Sequence, residues 1–181
     1  CPGHPTWLEP REWLGAPRAA SYPLHLMSNQ PKHRLHSQLD MGRASIGSKV
    51  HGREPARMSP VDAAARDLAD GDVVRVFNDR GACLAGVRVD DAVRPGVVQL
   101  STGAWFDPQT DADGLPLEAH GNPNVLTADR GTSRLAQGPS AQSALVEVRR
   151  HDGPLPELAA HTPPRIVRDG AAVHDPGEAE R

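Results

Sequence analysis

Two apolar–polar alternations separated by a four-residue turn constrain this chain more than any other feature. Val74 and Val76 alternate with Arg75, and Val87 and Val89 alternate with Arg88, while Asn78-Asp79-Arg80-Gly81 lies between the two runs. β-Branched residues at a period of two fit a pleated surface with one buried face, and an Asn/Asp/Gly-rich turn lets the chain double back. The spacing predicts an antiparallel hairpin, Asp72 to Phe77 with Ala82 to Val89. Other signals are also short and extended: Leu24 to Ser28, Val97 to Leu100 after the turn Arg94-Pro95-Gly96, and Ala144 to Val148. Ser59-Pro60-Val61-Asp62 reads as a helix start, with Ser59 at the N-cap and Pro60 in the first turn. Ala63 to Leu68 continue it and Gly71 stops it. Many short strands with two or three short helices predict a mainly β domain, a barrel or a sandwich.

The flanks read differently. Residues 1–21 place four prolines around Trp7, Leu8, Trp13 and Leu14, which argues against a long helix. They are expected to form an arm entering from an upstream domain that this sequence lacks, an expectation strengthened by a first residue that is Cys rather than Met. Residues 22–150 make the body. Residues 151–181 carry five prolines and many charges but no aromatic side chain, and are expected to form a disordered or loosely attached tail.

Composition narrows the function. A net charge of −3 without a long basic run argues against nucleic acid as a partner. No apolar run approaches the length of a membrane span, and no signal-like apolar core opens the chain. A cytoplasmic location is therefore expected, with a periplasmic one open should an export signal precede the chain. The two cysteines, Cys1 and Cys83, form no C-x-x-C pair, which excludes a disulfide scaffold and a cysteine-based zinc or iron–sulfur site of the usual type.

Two polar segments carry the candidate site. His120 to Gln142 combines Gly121, Gly131 and Gly138 with Asn122, Asn124, Thr127, Thr132, Ser133, Gln137 and Gln142. Glycines allow close backbone approach, and amides and hydroxyls read the edges of a heterocycle as donors and acceptors. A connection this long is uncommon unless functional or disordered. The second segment, Ser28 to Asp40, brings Ser28, Asn29 and Gln30 off a strand end, then Lys32, His33, Arg34, His36, Ser37 and Gln38. Arg34 could pair with a phosphate bidentately. Taken alone, this segment reads more readily as a solvated helix start than as a site. Together, the two segments predict the wall of a site for a large, polar, phosphorylated heterocycle.

No catalytic constellation accompanies them. Thr132-Ser133 lacks the strand-borne G-x-S-x-G of a nucleophile elbow, and Gly42, Gly47 and Gly52 make no phosphate-binding loop. Asp111 and Asp113 read as solvated loop residues, and Cys83 as a small apolar group within a strand.

The residues "RLHSQLD" (34–40), "HGREP" (51–55), "DAAARDLADGDVVRVFNDRGACLAGVRV" (62–89), "RPGVVQLSTGAWFDP" (94–108), "NVLTADRGTS" (124–133) and "LAQG" (135–138) run in unbroken order over about 22–149. In that order they resemble the C-terminal, cofactor-binding domain of the dimethyl sulfoxide reductase family of molybdenum enzymes, in its S-oxide and N-oxide reductase branch. The opening "CPGHPTWLEPREWLG" resembles the segment entering this domain in biotin sulfoxide reductase-like members. The resemblance implies a double-psi β-barrel of the aspartate-decarboxylase-like type, and bis(molybdopterin guanine dinucleotide) shared with upstream domains of the same reductase. It implies an S-oxide or N-oxide as substrate of the whole enzyme, with the metal's protein ligand lying upstream. Binding is therefore expected of Ser28, Gln30, Arg34, His36, Ser37 and Gln38, and of Asn124, Gln137, Gly138 and Gln142. No catalytic and no metal-ligating residue is expected in this chain. The alternatives are a stand-alone barrel module that has lost the cofactor, and an autonomous barrel enzyme, which the missing constellation disfavours.

Overall fold

The computed structural model describes residues 2–135, 137, 138, 140 and 142–163. Its strands are β1 (Leu24–Met27), β2 (Pro55–Met58), β3 (Val73–Phe77), β4 (Ala82–Val89), β5 (Val97–Leu100), β6 (Pro108–Thr110), β7 (Pro116–Glu118) and β8 (Ala144–Arg150). Two short helices, α1 (Arg43–Ser48) and α2 (Pro60–Ala64), and two 3-10 turns, Pro17–Ala20 and Pro123–Leu126, complete it.

The strands pair in the order β2-β5-β1-β8-β3-β4, and β4 returns to β2, closing a six-stranded barrel. Two pairings are parallel, β1 with β5 and β2 with β4, and the others within the barrel are antiparallel. This closed mixed topology is a double-psi β-barrel. Closure leaves no edge among these six strands. The predicted hairpin forms in register from Val73↔Gly86 to Phe77↔Ala82. Its alternation explains the burial: Val74 and Val76 point inward with Cys83, Ala85 and Val87, joined by Leu24, Leu26, Met58, Val98 and Leu100.

β4 is buried on both faces. Its outer residues Ala82 and Leu84 pack with Leu117 in a second cluster, and Gly86 lies so close to Val50 that any Cβ there would collide with it. Cys83 is an inert core thiol, its pKa pushed up by burial.

Several expectations need correction. The helix opened by Ser59, whose hydroxyl accepts from the Asp62 N–H at 3.1 Å, ends at Ala64 rather than running to Leu68. Asp67 adopts φ 53° and the Leu68 N–H returns to the Ala63 carbonyl, so a left-handed aspartate, not Gly71, stops the helix. Asp111 and Asp113, expected as solvated loop residues, lie in the turn of the hairpin β6–β7, which is added to the barrel through the β4–β7 pairing. Asp111 shapes its turn by accepting from the Asp113 and Leu115 N–H groups and pairs with Arg75.

The flanks lie on the body where they are described. Glu12 accepts from Arg80 and from the Leu145 N–H, while Trp7 and Leu8 remain exposed. From 151 to 163 the chain runs over the barrel as a strap. Arg53 donates to the Pro156 carbonyl, Gln109 to that of Glu157, and Asp107 accepts from the N–H groups of Ala159 and Ala160. The remainder of the expected tail, 164–181, lies outside the described residues.

Candidate functional site at one end of the barrel

The ends of β1 and β5 and the starts of β2 and β8 open at the same mouth, as the pairing registers require. The two polar segments meet there. The Ser28 N–H donates to Gln142 Oε1 at 3.2 Å, and Gln142 Nε2 donates back to the Ser28 carbonyl. Ser28 is buried by this exchange. Beyond it the chain rises into an irregular ridge, with Gln30 Nε2 3.0 Å from His36 Nδ1.

The ridge is held from beneath. Arg34 donates through Nε to the His36 carbonyl and through Nη2 to the Thr102 carbonyl, both at 3.0 Å, and Nη1 lies 3.0 Å from Glu54. Its side chain is 1% exposed and shapes the ridge from beneath, while also lining the recess beside it. Trp105 Nε1 donates to the Ser37 carbonyl at 2.8 Å, and the Gln38 N–H closes a tight turn on Leu35. His36 and Leu39 are left with φ of 49° and 61°, a region that costs a residue with a Cβ of the order of 1 kcal/mol. Strain of this kind clusters at ligand sites. Gly103, at φ 89°, comes so close to the His36 carbonyl that a Cβ would overlap it.

The opposite lip is built around a buried carboxylate. Glu118 accepts from the N–H groups of Asp107, His120, Gly121 and Asn122, the last two at 2.7 Å. Burial raises its pKa, and these four donors partly offset that. Asn122 then caps the turn Pro123–Leu126, accepting from the Asn124 N–H while donating to the Ala104 carbonyl. Asn78 ties this lip to the barrel through the Leu126 and Leu145 carbonyls. Asn124 and Gln137 are exposed here. The Gly138 carbonyl accepts from the Thr132 N–H at 3.0 Å. His120, which opens this segment in sequence, is buried and faces inward rather than into the mouth.

Beside the ridge a recess of about 270 Å³ is lined by Lys32, His33, Arg57, Arg88 and Ser101 among others. Arg57 and Arg88 pair with Asp90 and Asp70 at its rim.

Sequence reasoning missed the charged cluster beneath the ridge. Asp40 lies 2.9 Å from Lys49 and 3.4 Å from Arg34, and Glu54 contacts both cations. Burial pushes the Asp40 carboxyl up, but hydrogen bonds from Lys49, His161 and the Trp105 N–H outweigh it and hold the carboxyl far below the usual range. Burial and the nearby Lys49 charge lower the His120 pKa. The partners come from five separate stretches of sequence, so no local spacing could have signalled them.

A mixed six-stranded barrel with two polar segments converging on one mouth defines a double-psi barrel with a candidate ligand site at one end. The chain belongs to the molydopterin dinucleotide binding domain family, whose model matches residues 24–145. It is 50% identical over 92% of its length to a dimethyl sulfoxide/trimethylamine N-oxide reductase of Rhodobacter capsulatus. It is 51% identical over 84% of its length to a biotin sulfoxide reductase of Cereibacter sphaeroides. With trimethylamine-N-oxide reductase 1 of Escherichia coli it shares 47% identity over 87% of its length. The chain spans about a fifth of the length of each of these relatives. Acetylene hydratase from Pelobacter acetylenicus shares the fold, with a TM-score of 0.66 at 17% identity, over 81% of this chain and 21% of that one. Among the described residues no helix is long and apolar enough to cross a membrane.

Proposed function

We propose that the barrel binds molybdopterin guanine dinucleotide, in its bis form, as one wall of a molybdenum-dependent S-oxide or N-oxide reductase. The single observation that carries this reading is the convergence of Ser28–Gln38 and Asn124–Gln142 on one mouth, joined by the Ser28–Gln142 exchange. The donor set fits such a group. Exposed Asn124, Gln137, Gln30 and His36 offer donors and acceptors for a heterocycle's edge, Lys32 adds a cation in the recess beside the ridge, and the close-packed Gly103 turn holds the backbone of the ridge. When bound, the molybdenum–pterin group supplies the two-electron chemistry that removes the substrate's oxygen.

This chain's contribution is positional. Arg34, Trp105 and Gly103 fix the ridge so that Gln30, His36, Ser37 and Gln38 meet the ligand without paying for ordering on binding. Glu118 and Asn122 do the same for Asn124. The two lips exclude water from one side, while upstream domains of the same reductase complete the enclosure and bring the metal's protein ligand. The chain by itself is then a binding wall and not a catalyst.

The test is mass spectrometry and metal analysis of the protein purified within its complete reading frame. A guanine dinucleotide pterin in a two-to-one ratio with molybdenum is the expected result. Protein folded and intact but free of pterin would overturn the reading in favour of a stand-alone barrel module.

A further inference from the structure

The strap brings a third donor to a place where the barrel already holds two. Asp40, His120 and His161 each present one ligand atom, and these atoms lie within 4.8 Å of one another. Asp40 and His120 are buried, whereas the His161 side chain is 27% exposed at the surface. His161 Nε2 is 3.0 Å from Asp40 Oδ2, and the two imidazole rings meet edge to face with centroids 4.9 Å apart. From this convergence we propose that Asp40, His120 and His161 form a site for a borderline divalent metal ion of the zinc class, which pins the strap to the barrel. The proposal does not depend on the cofactor reading.

The donor chemistry selects the ion. Two imidazoles and one carboxylate suit Zn²⁺, Co²⁺ or Ni²⁺, and are a poor set for Mg²⁺ or Ca²⁺, which prefer all-oxygen ligands. Three protein ligands with a water in the fourth place is a familiar zinc arrangement, and the exposed side of His161 is where water enters. Metal–donor bonds near 2.0–2.2 Å place tetrahedral donors roughly 3.3 Å apart. The present spread, within 4.8 Å, therefore closes by side-chain shifts on the order of 1 Å.

Charge argues against hard cations and sets the expected strength. Arg34 and Lys49 already balance Asp40 and Glu54 in the same cluster. An arriving ion finds no net negative charge, so the imidazoles must supply the attraction. Lys49 holds Asp40 through Oδ1, leaving Oδ2 turned toward the histidines. A partner on the far oxygen orients a ligating carboxylate from behind, as outer-shell groups do in metal sites.

The experiment is titration of the purified, chelator-stripped chain with Zn²⁺ by calorimetry and with Co²⁺ by visible absorption. One equivalent of Zn²⁺ is expected to bind, Co²⁺ to develop the intense bands of low-coordinate geometry, and millimolar Mg²⁺ to give no response. His161→Ala, a partly exposed position whose fold is checked by circular dichroism, should weaken Zn²⁺ binding at least about 10-fold. His151→Ala, a control on the same strap, should leave the affinity unchanged. No saturable binding overturns the proposal. Equal affinity in wild type and folded His161→Ala overturns it as well, and assigns the ion to the chain's other histidines.

Discussion

Along β4 the six residues from Ala82 to Val87 are all buried, whereas from Leu35 to Leu39 every residue is exposed. Both segments are nevertheless fixed in shape. The strand takes its conformation from neighbours paired in register and from apolar burial on two faces. The ridge takes its conformation from the charged guanidinium of Arg34 at its own base, and from an indole N–H and a glycine contact arriving from elsewhere. A wall can tolerate repacking by residues of similar volume. A ridge held by a few directional contacts should fail when one of them is removed.

The largest effect is expected from Arg34→Met. It removes one cation from the buried group of Arg34, Lys49, Asp40 and Glu54 and leaves two carboxylates against one lysine. Breaking a buried pair in this way costs about 3–5 kcal/mol, and the His36 and Thr102 carbonyls lose their donor as well. In a chain of this size a melting temperature lower by roughly 10 °C follows. Thermal unfolding followed by circular dichroism checks it. A drop of only a degree or two would mean that the ridge is held by something other than this cluster.

Legibility in the sequence follows the same division. β4 and β5 fall at the bounds their alternation predicts, because period-two burial is a local pattern that tertiary contacts merely confirm. β2, β6 and β7 were not anticipated: each is only three or four residues long, and Pro55, Pro108 and Pro116 at their starts masked them. At the mouth, the meeting of the two polar segments was expected from their composition and their places at strand ends. Their support was not, since Arg34 reads as a surface cation until Glu54 and Thr102 are folded against it. His120 likewise reads as part of a wall, but its ring turns inward toward Asp40 and Trp105.

A smaller and more selective effect is expected from Gly103→Ala, compared with Gly71→Ala. The two glycines have nearly the same φ, 89° and 91°, a left-handed value that disfavours alanine at either. Only Gly103 adds a collision with the His36 carbonyl, since nothing lies within 4 Å of a Cβ at Gly71. Gly71→Ala should lose about 1 kcal/mol, and Gly103→Ala roughly 1–3 kcal/mol more as the ridge is displaced. Denaturant unfolding of the two variants side by side measures the difference. Equal losses would show that the ridge yields freely, and would remove the contact with Gly103 from the account of how it is held.

The smallest effect on stability, and the most informative for function, is expected at the tips of the opposite lip. The side chains of Asn124 and Gln137 are exposed, and exposed substitutions away from caps and core usually stay within about 0.5 kcal/mol. Asn124→Ala and Gln137→Ala should therefore melt with the parent protein. If these amides face the cofactor, the same variants in the complete reductase should hold less molybdenum and less pterin, because each removes a hydrogen bond whose ligand partner is then left desolvated. Metal and pterin content per folded molecule is the measurement, taken on both variants and on Thr110→Ala, an exposed position on β6 that belongs to neither lip. A parallel loss in all three would reduce the effect to general instability. Full cofactor content in Asn124→Ala and Gln137→Ala would take both residues out of the site and leave binding to the ridge, making the two sides of the mouth unequal in function as they are unequal in construction.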